Sequence, residues 1–102
     1  MYVSEEELKI VRQILRKHVP TAQVRLFGSR FGGKVKTFSD LDLAIAADGR
    51  LPWSLLLQMK EDFAESDLPY RVDLVDYSAV SDAFRRIIDG GNELIWPEVT
   101  GE

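Results

Sequence analysis

Leu8, Val11, Ile14 and Leu15 recur at the three- and four-residue spacing of one helical face, with Ile10 beside them. Ser4-x-x-Glu7 stands in front as a capping box, whose hydroxyl and carboxylate can each satisfy a backbone N–H that the first turn leaves free. Pro20 stops the pattern, so a helix is predicted from about Ser4 to His18. Gln23 to Phe27 reads as a short strand and Gly28-Ser29 as the turn after it. Gly32-Gly33 and Lys34 to Phe38 read as loop, with room for one helical turn before it. Leu41, Leu43 and Ile45 alternate with Asp42 and Ala44, the period of a half-buried strand, and Asp48-Gly49 is a turn.

Pro52 suits the first position of a second long helix, with Trp53, Leu56, Leu57, Phe63 and Ala64 as its apolar stripe and Asp67 to Pro69 as its stop. Arg71 to Asp76 is a further strand. Val80, Ala83, Phe84, Ile87 and Ile88 fit a third amphipathic helix closed by Gly90-Gly91, and Glu93 to Trp96 adds a short edge strand before Pro97. The expected architecture is α/β (α+β): a small mixed sheet with helices packed on one face, formed by residues 1–102 as a single domain.

A chain of 102 residues has room for one domain and a modest core. It has no Cys and a single His, which excludes disulfide scaffolds, thiolate zinc sites and Cys nucleophiles and argues against Ser-His triads. The lack of Cys fits a reducing cytoplasm; no apolar run is long enough for a membrane helix, and the acidic start, Glu5-Glu6-Glu7, is unlike a signal peptide. The net charge of -4 hides an asymmetry. Lys9, Arg12, Arg16, Lys17, Arg25, Arg30, Lys34 and Lys36 fall between residues 8 and 39, where there is no acid, and the acidic remainder begins at Asp40. A solvated helix face explains part of this; a phosphate site beside metal-holding carboxylates explains it too.

Asp40 and Asp42 lie two residues apart, so on a strand their carboxylates share a face while Leu41 and Leu43 point to the core. Paired carboxylates repel unless a cation sits between them, and hard oxygen ligands suit Mg²⁺ or Mn²⁺. In Arg71-Val72-Asp73-Leu74-Val75-Asp76 the same alternation puts Asp73 on the side of that pair if the two strands are neighbours. Asp76 is left on the opposite face for capping or solvent. Gly28-Ser29, between a strand and a helical turn, allows close backbone approach to an anion. Gly28 to Lys34 also reads Gly-x-x-x-x-Gly-Lys, but Val35 stands where a P-loop needs Ser or Thr and no long helix follows. Asp40-x-Asp42 fails as an EF-hand, because Ala44 and Ile45 occupy a ligand and the turn-glycine position. It is unlike the haloacid-dehalogenase pattern as well, since Lys36-Thr37-Phe38-Ser39 rather than an apolar strand precedes it.

Gly28-Ser29-Arg30, then Ser39-Asp40-x-Asp42, then Asp73 on a later strand together resemble the nucleotidyltransferase superfamily of the DNA polymerase β type. In size the chain is similar to the minimal nucleotidyltransferases (MNT) of prokaryotes, over about residues 5 to 96. The resemblance implies an enzyme in which Asp40, Asp42 and Asp73 form a catalytic Mg²⁺ (or Mn²⁺) site. Gly28, Ser29 and Arg30 would bind ATP or another nucleoside triphosphate. It further implies a helical HEPN-type partner, with AMP passing to a tyrosine of that toxin and the MNT chain acting as antitoxin. The alternative is a module that neutralises the partner by masking its surface. Relatives often read Gly-Ser-Arg-Ala-Arg-Gly, whereas this chain has Arg30-Phe31-Gly32-Gly33 after Ser29; Lys34 and Lys36 are the candidates to replace the missing cation. Trp53, Phe63 and Phe84 are candidates for apolar surface beyond what so small a core can bury, with most of them expected in the core, and the acidic C-terminal part is expected to meet a basic partner.

Overall fold

The computed structural model describes residues 1–33 and 35–98. Its elements run α1 (Glu5–His18), β1 (Gln23–Phe27), α2 (Ser29–Gly32), β2 (Leu41–Ala46), α3 (Trp53–Ala64), β3 (Val72–Asp76), α4 (Asp82–Asp89) and β4 (Asn92–Trp96). The four strands form one mixed sheet in the order β3-β2-β1-β4. β1 is antiparallel to both β2 and β4, and β2 is parallel to β3. A parallel pair needs a long crossover, and α3 supplies it.

The local signals explain where the elements begin and end. Ser4 caps α1 through the Glu7 N–H, and Glu7 returns a carboxylate to the Ser4 N–H at 3.0 Å. Acidic residues fill the first turn of α1 and Arg16, Lys17 and His18 its last, the arrangement the helix dipole favours. α4 starts two residues later than Val80, because the Ser81 hydroxyl accepts from the Phe84 N–H and fixes the cap there.

Leu8, Val11 and Leu15 of α1 and Met59 and Phe63 of α3 pack on one face of the sheet, against Val24, Leu26, Leu41, Leu43, Ile45 and Ile95. Each such side chain removed from water contributes roughly 1.5–3 kcal/mol. The expectation of helices on one face describes α1 and α3 but not α4. Ile88 and Phe84 of α4 pack with Phe27, Ala44 and Val75, the residues that alternate with the first set, so α4 covers part of the opposite face. Phe27 and Phe84 meet edge to face, 6.0 Å between centroids. Asp76 faces the α3 side, as its parity required, and caps: it accepts from the Leu51 N–H at 2.8 Å and from Ser78.

Of the three candidate aromatics two pack inside, as expected for most of them, and one is left at the surface. Phe63 is buried and Phe84 rests on Phe27, while Trp53 is 76% exposed. Among the described residues no helix is long and apolar enough to cross a membrane.

Candidate active site

The acids gather at the N-terminal ends of β2 and β3. β2 and β3 run parallel with Asp42 directly opposite Asp73, so the two carboxylates leave the same face from neighbouring strands. Asp40, two residues before Asp42, lies on the same side. The three charges act on one another: the Asp42 carboxyl is pushed up to about 6, first by burial and then by the charges of Asp73 and Asp40. Ala44, Phe27 and Val75 behind the acids give no polar group to compensate them. Among the described residues no three acidic, Cys or His side chains stand close enough together to hold a metal ion as they are placed. The donor set is an open group of hard oxygens with uncompensated repulsion, which fits a divalent Mg²⁺ or Mn²⁺ ion.

Phe27 pairs with Asp42 across the antiparallel ladder, which places Gly28 and Ser29 at the lip of the acid cluster. Gly28 has φ 77°, and a Cβ there would overlap Asp42 Oδ2. Glycine is required twice, by the left-handed backbone and by the carboxylate that fills the side-chain space. Ser29 then opens α2 and is half-buried. A cleft of about 350 Å³ along the outer edge of β3 brings Lys60 and Arg71 alongside Asp73.

Arg30 stands elsewhere than the sequence led us to expect. It is buried, and its guanidinium donates to three carbonyls: Ser39 at 2.8 Å, Thr37 at 3.0 Å and Tyr2 at 3.0 Å. Its plane lies 3.7 Å from the centroid of the Tyr70 ring. A fork-shaped cation with fixed donors suits this, and a phosphate contact would require it to leave all three. Arg30 braces the segment that leads into Asp40. Tyr70, whose hydroxyl donates to Glu7 at 3.0 Å, completes that brace and was missed in the sequence, since nothing local marks a partner forty residues away. Lys36 is exposed on the same segment; Lys34 lies outside the described residues.

Comparison with known proteins decides the family. The family described as "Polymerase beta, Nucleotidyltransferase" matches residues 9–98. The chain belongs to this nucleotidyltransferase family. A curated relative from Haemophilus influenzae, the probable protein adenylyltransferase MntA, is 50% identical over 86 residues, 84% of this chain and 75% of that protein. A crystal structure of a toxin–antitoxin with AMP-PNP superposes with TM-score 0.76 at 27% identity, over 87% of this chain and 72% of that one. A structure of tri-AMPylated HEPN toxin in complex with MNT antitoxin from Shewanella oneidensis shares the fold. It has TM-score 0.67 at 24% identity and covers 87% and 68% of the two chains.

Proposed function

We propose that this nucleotidyltransferase is a metal-dependent protein adenylyltransferase that moves AMP from ATP to a tyrosine hydroxyl of a HEPN-type toxin, acting as its antitoxin. The observation that carries the reading is the juxtaposition of Asp42 and Asp73 across parallel strands, with Asp40 beside them and Gly28-Ser29 at their edge. Similarity to MntA supports the choice of AMP and of a protein acceptor, and similarity to a toxin–antitoxin holding AMP-PNP supports ATP and the partner. Residues 1–102 act as one minimal nucleotidyltransferase domain, in the cytoplasm, which suits a chain without Cys.

Asp40, Asp42 and Asp73 would hold the metal. When bound there, Mg²⁺ or Mn²⁺ would supply charge neutralisation for the transfer. Gly28 lets the backbone approach the terminal phosphates, and Ser29 donates its hydroxyl to them. Asp73, the most exposed of the three acids by its place on the edge strand, orients the acceptor hydroxyl and takes its proton. The acceptor oxygen bonds to the α-phosphorus as the bond to pyrophosphate breaks.

One observation favours the second reading, a module that masks its partner without turnover: Arg30 is committed to the fold and adds no charge at the phosphates. Incubating the full chain with ATP, Mg²⁺ and a HEPN-type toxin from the same organism separates the two. A gain of one or more AMP masses on the partner, lost in Asp42→Asn, is the expected result. Tight binding with no mass gain leaves the masking module instead.

A further inference from the structure

Arg30 ties down more than the approach to Asp40. The Tyr2 N–H donates to the Arg30 carbonyl at 2.7 Å while the Arg30 guanidinium donates to the Tyr2 carbonyl, so Tyr2 is clasped from both sides. The same guanidinium holds the carbonyls of Thr37 and Ser39, the two neighbours of Phe38. Lys36 and Ser39 close this turn on each other, the Ser39 N–H donating to the Lys36 carbonyl and the Lys36 N–H to the Ser39 hydroxyl. Two segments far apart in sequence are thus fixed to one buried cation, and each shows an aromatic ring to solvent: Tyr2 is 51% exposed and Phe38 75%.

Single exposed apolar side chains are ordinary. A pair of aromatics on backbones immobilised by a common buried arginine is a different case, since rigid aromatic anchors lose little entropy when a partner covers them. Their place is the second point. Phe38 precedes Asp40 by two residues, so the two Cα atoms are at most about 7 Å apart. The turn belongs to the β3 side of the cluster: the Leu41 N–H donates to the Arg71 carbonyl, and Arg30 stacks on Tyr70, which precedes β3. Gly28 and Ser29 lie on the other flank of Asp42, above β1. Phe38 therefore borders the β3 side of the cluster, which the adenylyltransferase reading gives to the acceptor, and Tyr2 is tied to the same arginine.

We propose that Tyr2 and Phe38 are acceptor-specificity residues, which hold an apolar segment of the acceptor protein next to its reacting hydroxyl, with Arg30 as the residue that positions both. This rests on the adenylyltransferase reading for the identity of the acceptor, and its test is separable from it. The full chain and a Tyr2→Ser/Phe38→Ser variant are compared against a HEPN-type toxin from the same organism in two measurements. One is calorimetric binding without nucleotide; the other is AMP transfer with ATP and Mg²⁺. The variant should weaken partner binding and raise the acceptor KM by about tenfold or more. Its AMP-PNP affinity and its kcat at saturating acceptor should stay within about twofold, and Phe38→Trp alone should retain binding.

If the parent chain binds the partner but transfers nothing, the adenylyltransferase reading fails, while weakened binding by the variant still supports the aromatic pair. Unchanged partner affinity overturns the proposal, as does an equal loss of AMP-PNP affinity, which would put the rings on the nucleotide. Sensitivity to Trp53→Ser in place of the pair would also overturn it, by moving the contact to the α3 surface. So would a parent chain that neither binds nor modifies that protein.

Discussion

The two faces of the sheet are built under different rules. On the face toward α1 and α3, Val24, Leu26, Leu41, Leu43 and Ile45 are wholly buried and serve packing, while Asp76 at the end of β3 serves as a cap. On the other face β1 and β2 carry Phe27 and Ala44, which pack with α4, and then β2 and β3 carry Asp42, half-buried, and Asp73, exposed. Alternate residues of β2 thus belong to a filled interior and to a cluster of mutually repelling acids. The first face stabilises the fold; the second contains a local destabilisation that a cation would relieve, and nothing in packing requires it.

The sharpest way to break this contrast is to substitute neighbours on β2. Leu43→Ala should lower unfolding stability by about 3 kcal/mol in urea titrations, the cost of a core cavity. Asp42→Asn, one residue away, should leave stability equal or slightly higher, because it removes repulsion rather than contacts. Comparable losses from both would mean that Asp42 is a structural residue.

Gly28→Ala should cost about 2 kcal/mol, combining a strained left-handed backbone with displacement of the Asp42 carboxylate. Circular dichroism melts would show the loss, and nucleotide binding should fall with it. A neutral effect would show that Gly28 and Asp42 are further apart than described.

The acid face should also mark itself in the pH profile. The folded state favours the neutral form of Asp42, whose carboxyl is pushed up to about 6. That contribution is complete below the ordinary carboxylate range and is lost as pH rises through about 6. Metal-free protein should therefore lose about 1 kcal/mol between roughly pH 4 and 6, allowing for solvent screening of a half-exposed group. The decline should vanish in Asp42→Asn. Asp62, on the α1–α3 side, has the opposite sign. Hydrogen bonds from His18 and Lys17 lower its pKa, so what it contributes is present above the usual carboxylate range and lost in acid. The smallest effect expected is at Ser29, where Ser29→Ala should weaken AMP-PNP binding by about 1 kcal/mol, the scale of one hydrogen bond.

The sequence made much of this contrast legible, because strand parity is local. Leu41, Asp42 and Leu43 announce their faces, and so do Val72, Asp73 and Leu74. That Asp42 and Asp73 meet depends on β2 and β3 being parallel neighbours, which parity cannot say; the resemblance to nucleotidyltransferases supplied it. The side taken by α4 was hidden because Phe84 and Ile88 mark an amphipathic helix without choosing a sheet face. Phe27, Ala44 and Val75 among the polar positions were the only sign. Arg30 misled for a similar reason. Beside Gly28-Ser29 an arginine reads as a phosphate ligand, and its true partners, Tyr2, Thr37, Ser39 and Tyr70, are assembled only by the fold.

The claim that the sparse face exists to hold a cation is tested most directly by titrating Mn²⁺ into the full chain and into Asp40→Asn/Asp42→Asn, with binding followed by electron paramagnetic resonance. Saturable binding by the parent chain, weakened at least about tenfold in a variant that melts no lower, is the result expected. Equal Mn²⁺ affinity in the two proteins would contradict the account, because the acids would then be a solvated strand face and the metal, if any, would be held elsewhere.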